Sequence, residues 1–435
     1  MSGAEWIGEV PEGWKIVRLK DLGFLQNGIS KSGDYFGHGF PFISYGNVYN
    51  NTLSSEKIKT FANSTPEDQQ AYSCKKGDVF FTRTSETIEE IGFSATCLKT
   101  IPKSVFSGFV IRFRPTTKAL VEDFSKFYFS ANILRGFFSK EISLVTRASL
   151  SQGLLNKLSV ALPPLPEQTA IAAYLDNKIA QIDRKIDLLS QKATQYGKLK
   201  QSLINETITC GLDKSVPMKD SGVAWIGEVP EHWKMKRLED FSFVIDPQPD
   251  HRAPAHAEGD GYPYIGIRDL NNDGSLNFET ARKVELAAVE KQEQSFSVVS
   301  GDILFCKVGT LGEPRIIIPK GRFALSATLV LIKVKREVSN NFLKYSLDSS
   351  CVLDQINHYG SGSTRPALGI KQIRKFFFPA PSLLEQKAIA AYLDEKTTQI
   401  DQITTTINNQ INKLKELRKA LINDVVTGKI KVSAP

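Results

Sequence analysis

The sequence predicts a mixed α/β fold made by tandem duplication: two globular domains, each followed by a long α-helix, the two helices packing antiparallel about a pseudo-two-fold axis. Three observations predict it. WIGEVPE at 6–12 returns at 225–231, an offset of 219, and the match extends to Trp14 with Trp233, Arg18-Leu19 with Arg237-Leu238, Asp21 with Asp240 and Phe24 with Phe243. AIAAYLD at 170–176 returns at 388–394, at offset 218, with Glu167-Gln168 matching Glu385-Gln386 and Gln181-Ile182-Asp183 matching Gln399-Ile400-Asp401. After each of these second identities the pattern turns into a long proline-free stretch with an apolar residue every three or four positions.

A period near 219 is too long for a solenoid or propeller repeat, so each copy needs its own core. The ends of the copies are nearly identical while the middles diverge. GFPFISYGNV at 39–48 stands beside GYPYIGIRDL at 261–270, and KKGDVFFTRT at 75–84 beside VSGDILFCKV at 299–308, with the offset wandering to 222 and 224. One framework carrying two loop sets is the pattern expected of paired binding modules with different targets.

Within the first copy, short apolar runs bounded by turn residues predict strands at VFF 79–81, FVIRF 109–113 and LSVAL 158–162; the second copy repeats them at ILF 303–305, TLVLIKV 328–334 and KFFF 375–378. Helical patterns intervene at 121–138 and 340–356. LPPLPEQ at 162–168 then starts the first long helix near residue 167. Its seam is Leu175, Ile179, Ile182, Ile186, Leu189, Ala193, Tyr196 and Leu203, a seven-residue repeat as in a coiled coil, ending near Cys210-Gly211. Almost forty residues at about 1.5 Å each give about 55 Å, longer than a domain of this size needs to cover itself. The second helix offers Leu393, Ile400, Ile407, Ile411, Leu414 and Leu421, with Thr397 and Thr404 weakening its seam. The expected boundaries are 1–165 for the first domain, 166–211 for its helix, 212–224 for a linker, 225–383 for the second domain, 384–428 for its helix and 429–435 for a tail.

Composition restricts the function classes. Five dispersed cysteines (Cys74, Cys97, Cys210, Cys306, Cys351) without any C-x-x-C argue against a disulfide framework or zinc ribbon and for reduced, buried thiols. No run of 18 apolar residues is present, and the start MSGAEWIGEV lacks a signal-peptide pattern, so no membrane association and a cytoplasmic location are expected. The net charge of +8 suits a polyanionic partner without proving one. No phosphate-binding loop, nucleophile elbow, adenine-methyltransferase motif or nuclease cluster is visible. Gly360-Ser361-Gly362-Ser363 lacks a third glycine, and His251 and His256 lack further ligands at metal spacing. Neither a catalytic centre, a metal site nor a bound cofactor is therefore expected in this chain.

Candidate DNA contacts lie on loops that follow strands. They are Thr82, Arg83, Thr84 and Ser85 after VFF, and Lys307 and Thr310 after ILF. Arg147 aligns with Arg365 at offset 218, the latter accompanied by Ser363 and Thr364, and Tyr45 and Asn47 pair loosely with Arg268. Arginine suits a guanine edge, and hydroxyl side chains reach bases or phosphates.

With these residues assembled, the chain resembles the specificity subunits of type I DNA restriction–modification systems. The resemblance is carried by P-E-G-W-K…L at 11–19 with its echo at 230–238, and by the G-D-hydrophobic segments at 77–81 and 301–305. P-P-L-P-E-Q-x-x-I-A-x-Y-L at 163–175, with its copy S-L-L-E-Q-K-A-I-A-A-Y-L at 382–393, completes it. The second copy departs at Pro379-Ala380-Pro381-Ser382, which bears on the helix entry alone. The resemblance implies two target-recognition domains, each reading one half of a split, asymmetric site in double-stranded DNA. The helices would set the gap, with half-sites about one helical turn apart. It further implies two modification subunits, which hold S-adenosylmethionine and methylate adenine at N6, and two restriction subunits, which use ATP and Mg. A coiled-coil scaffold that does not bind DNA is the alternative left by the residues alone.

Overall fold

A computed structural model describes residues 6–85, 91–141, 148–250, 252–271, 273–360 and 367–432. It divides into two compact units, residues 1–190 with 408–435 and residues 191–407.

The first unit is organised on a five-stranded sheet in the order Gly23–Asn27, Val110–Pro115, Val79–Thr82, Ser94–Cys97, Thr52–Leu53. Val79–Thr82 is buried at every position because neighbouring strands flank it and apolar clusters cover both faces. Beside it lies a three-stranded sheet of Phe61–Ala62, Phe36–Ile43 and Val105–Phe106, while Lys15–Arg18 pairs antiparallel with Ser159–Leu162.

The second unit repeats the plan. Its main sheet runs Ser242–Ile245, Leu329–Val334, Ile303–Cys306, Gly312–Ile316, with Ile303–Cys306 fully buried; a three-stranded sheet joins Arg282–Val284, Tyr262–Ile265 and Ala324–Leu325. Lys234–Arg237 pairs with Phe377–Ala380 as its counterpart does in the first unit. The two long helical patterns are each interrupted, giving Glu122–Tyr128 and Ile133–Glu141, and Asn340–Leu347 and Ser350–Gly360. A serine stands in each break: Ser130 Oγ donates to the carbonyl of Lys126 and Ser349 Oγ to that of Ser346.

The repeated motifs have framework duties. Asp78 of the first G-D segment is 1% exposed, accepts the N–H of Lys75 and pairs with Arg114 at 2.5 Å; Asp302 accepts the N–H of Val299 and pairs with Lys333 at 2.8 Å. Gln168 is fully buried and links three backbone groups, accepting from Val121 and donating to Ala119 and Pro163. Gln386 does the same to Ser339 and Pro381. These glutamines tie each domain to the start of its own helix.

The long helices span Leu165–Cys210 and Leu383–Val426. The first has 46 residues, about 69 Å at 1.5 Å per residue. Both end on a glycine with positive φ, Gly211 and Gly428. A Cβ on Gly428 would lie 2.3 Å from Pro11, so close approach also demands glycine there, while one on Gly211 would lie 3.0 Å from the Trp233 ring, a tight fit. In the first unit the opening turns of the first helix run antiparallel to the closing turns of the second, Leu175 and Ile179 sharing a core with Ile422 and Val425. Ile182 and Leu421 flank that core, and Ile186, Leu189 and Leu414 are half-buried. In the second unit Ile204 and Ile208 share a core with Ile389 and Leu393, and Ile400 and Ile407 are buried. Thr397 is buried there, its hydroxyl 3.0 Å from that of buried Tyr345.

All five cysteines are free, and four are buried. Among the described residues no helix is long and apolar enough to cross a membrane.

Candidate nucleic-acid interface

In the first unit a concave pocket is lined by Lys31, Phe36, Arg83, Thr84, Phe109 and Ser149. Four stretches of chain build it, 29–36, 83–84, 107–109 and 149. The two-residue strand Thr84–Ser85 pairs with Ala148–Ser149, and Leu150 N–H donates to the carbonyl of Arg83 at 2.7 Å. Arg83 is half-buried, its N–H donating to Phe109 O at 3.0 Å and its Nη1 to Gly108 O at 3.2 Å. Tyr45 joins the rim by donating its hydroxyl to Thr84 O at 2.7 Å, and Tyr49 lies beside it, 42% exposed. Lys31 pairs with Asp68 at 2.8 Å, and this ammonium is the main reason the Asp68 carboxyl sits below its ordinary range.

The structure thus brings together Tyr45, Arg83 and Thr84. Thr82 and Ser85 are buried, which makes them framework in the isolated chain. Asn47 turns its amide oxygen onto the N–H and hydroxyl of Ser44, capping the turn it belongs to.

The second unit builds the same turns with different side chains. Leu368 N–H donates to Lys307 O at 2.8 Å, as Leu150 does to Arg83, and Val308 bridges Ala367. Lys307 nevertheless points inward: it is 2% exposed and pairs with Asp246 at 2.5 Å. Arg268 and Thr310 are exposed, Thr310 following Gly309 with its φ of +88°. Arg147, Ser363, Thr364 and Arg365 lie outside the described residues. Among the described residues no group of three or more His, Cys, Asp or Glu is arranged to hold a metal.

Sequence reasoning missed Lys31, Ser149 and above all Phe109. Both FVIRF and TLVLIKV were read as strands from their first residue, but the strands begin at Val110 and Leu329. Phe109 and its counterpart Thr328 belong instead to the turns before them, and Phe109 is 64% exposed. The pocket draws on turns separated by tens of residues, so no local pattern announces it.

The profile of the family described as type I restriction modification DNA specificity domain matches residues 11–194 and again 230–413. The chain belongs to this family. Over 439 residues it is 26% identical to a provisionally assigned type I restriction enzyme specificity subunit, MjaX, of Methanocaldococcus jannaschii, covering 98% of this chain and 96% of that one. Among solved structures, one reported in work on complex assembly and conformational transition of the type I R-M system superposes with a TM-score of 0.72 at 17% identity, covering 97% of this chain and all of that one. The HsdS subunit of Thermoanaerobacter tengcongensis gives a TM-score of 0.53, also at 17% identity, over 97% and 98% of the two chains. At that identity the structural likeness speaks for the shared fold of the specificity family.

Proposed function

We propose that this chain is the non-catalytic DNA-reading subunit of a type I restriction–modification system. Each domain reads one half of a split, asymmetric double-stranded site, and the paired helices set the gap between the halves. The observation that carries this reading is the reuse of one pinned turn with different chemistry: Leu150 holds Arg83 and Leu368 holds Lys307 through equivalent backbone bonds, while their neighbours differ. A framework kept twice with its exposed residues changed suits two different half-sites.

Arg83, Thr84 and Tyr45 in the first domain, and Arg268 and Thr310 in the second, are the proposed DNA contacts. The unpaired share of the +8 charge supplies a phosphate-directed affinity that falls steeply with salt. The duplicated framework offers equivalent surfaces to two modification subunits and two restriction subunits in the cytoplasm. S-adenosylmethionine, ATP and Mg belong to those partners, and adenine methylation or cleavage takes place on them.

The test is a methylome. The chain is co-expressed with its modification subunit in a host without adenine methylation, and methyladenine is mapped by long-read sequencing. A two-part motif with a fixed gap and one modified adenine per strand supports the reading. A soluble complex that methylates no split motif overturns it.

A further inference from the structure

Two three-residue turns, Ser107-Gly108-Phe109 and Ser326-Ala327-Thr328, occupy the same place in the two halves and share four hydrogen bonds. The first serine donates its N–H to a neighbouring strand, Ser107 to Ile43 O at 3.0 Å and Ser326 to Ile265 O at 2.8 Å. Its carbonyl accepts from the third residue on, Val110 in one turn and Leu329 in the other, both at 3.0 Å. Its hydroxyl accepts the N–H of the tip residue, from Phe109 at 3.2 Å and from Thr328 at 3.3 Å. The carbonyl of the tip accepts from the candidate basic residue, Arg83 to Phe109 at 3.0 Å and Lys307 to Thr328 at 2.8 Å.

The backbone of both turns is therefore fixed while two side chains vary, Gly108 against Ala327 and, at the tip, Phe109 against Thr328. Phe109 is 64% exposed at the rim of the pocket that holds Arg83 and Thr84. A large apolar ring held mostly in water by a pinned turn forgoes most of its burial energy. Its backbone has little freedom left to lose on contact, which is what a preorganised recognition element requires. Thr328 is half-buried, its hydroxyl 3.1 Å from that of Ser326.

We propose that Phe109 and Thr328 are specificity-determining residues, one for each half-site, on a common turn. Phe109 makes the apolar contact that reads a thymine methyl in the major groove, beside the bases within reach of Arg83. Thr328, a smaller and more polar tip, sets a different preference in the other half. This rests on the DNA-reading function proposed above.

The methylome of the complex with its modification subunit tests it. Phe109→Ala is expected to relax one T·A position in one half of the motif, with discrimination there falling roughly 5- to 150-fold, the range for one mismatched pair. Thr328→Ala relaxes the opposite half. Phe109→Thr, which places the second copy's own tip on the first turn, serves if the alanine variant folds poorly, and predicts a change at the same position. A wild-type complex without a split motif would defeat the underlying reading. A wild-type split motif kept in full by both alanine variants, or relaxed only at positions without thymine in Phe109→Ala, overturns the assignment of the tips.

Discussion

Arg418 donates from Nε to Oδ1 of Asp183 at 3.0 Å, and Lys200 donates from Nζ to Asp401 at 2.7 Å. At the repeat offset of 218, Asp401 is the counterpart of Asp183 and Arg418 that of Lys200, so one contact is made twice. Each joins the first long helix to the second inside one compact unit. Antiparallel packing of duplicated helices requires this reciprocity, because a contact between two positions is returned by their counterparts.

These pairs are partly solvated, with side-chain exposures of 30% and 52% in one and 32% and 60% in the other. A double-mutant cycle on Asp183 and Arg418 in urea is expected to give a coupling of about 0.2–1 kcal/mol, shrinking with salt. The helix pairing is held by its apolar seam, so a coupling several times larger would contradict this account.

Lys307 and Asp246 behave differently because both are withdrawn from water, at 3% and 14% side-chain exposure. Lys307→Met leaves a carboxylate without its partner and is expected to cost about 3–5 kcal/mol. Arg83→Met, at the equivalent position, removes one side-chain bond to Gly108 O and is expected to cost about 1 kcal/mol. Denaturant midpoints of the two variants check this, and equal losses would refute the difference in role.

Gln168 is the buried clasp between the first domain and its helix. Gln168→Leu strands the N–H of Val121 and the carbonyls of Ala119 and Pro163. With about 1–3 kcal/mol for each buried group left unpaired, the loss should reach at least about 3 kcal/mol in an unfolding titration. Gln386→Leu, which strands the N–H of Ser339 and the carbonyl of Pro381, should cost at least about 2 kcal/mol in the second domain.

Glu385 gives the second unit an acid-sensitive contact. Burial alone raises its carboxyl, but bonds from His232, Trp233 and Ser382 outweigh that and hold it down to about 2. A carboxyl depressed on folding stabilises above its unfolded range near 4.5, and that contribution disappears as the pH falls toward about 2. Stability measured from pH 5 to pH 2 should therefore fall less steeply for Glu385→Gln than for the wild type. Parallel curves would show that Glu385 contributes no such linkage.

The duplication, the long helices and the central strands were legible because each is written in a local pattern that the core then uses. Val79–Phe81 and Ile303–Phe305 are buried, as their apolar runs require. The breaks at Ser130 and Ser349 were not legible, since apolar periodicity carries across them. The site was legible only in part. Arg83 and Lys307 look alike in sequence, but the inward turn of Lys307 depends on Asp246, 61 residues away. Phe109 read as the start of a strand because nothing local tells an apolar strand residue from an apolar turn tip.

The central claim is that the two domains read separate halves of one DNA site. Its most direct test replaces residues 1–165 with the matching segment of another family member and maps methyladenine in the presence of the modification subunit. The account predicts that one half of the motif changes to that of the donor, while the other half and the gap stay as they were. A motif altered in both halves, or in neither, would contradict it.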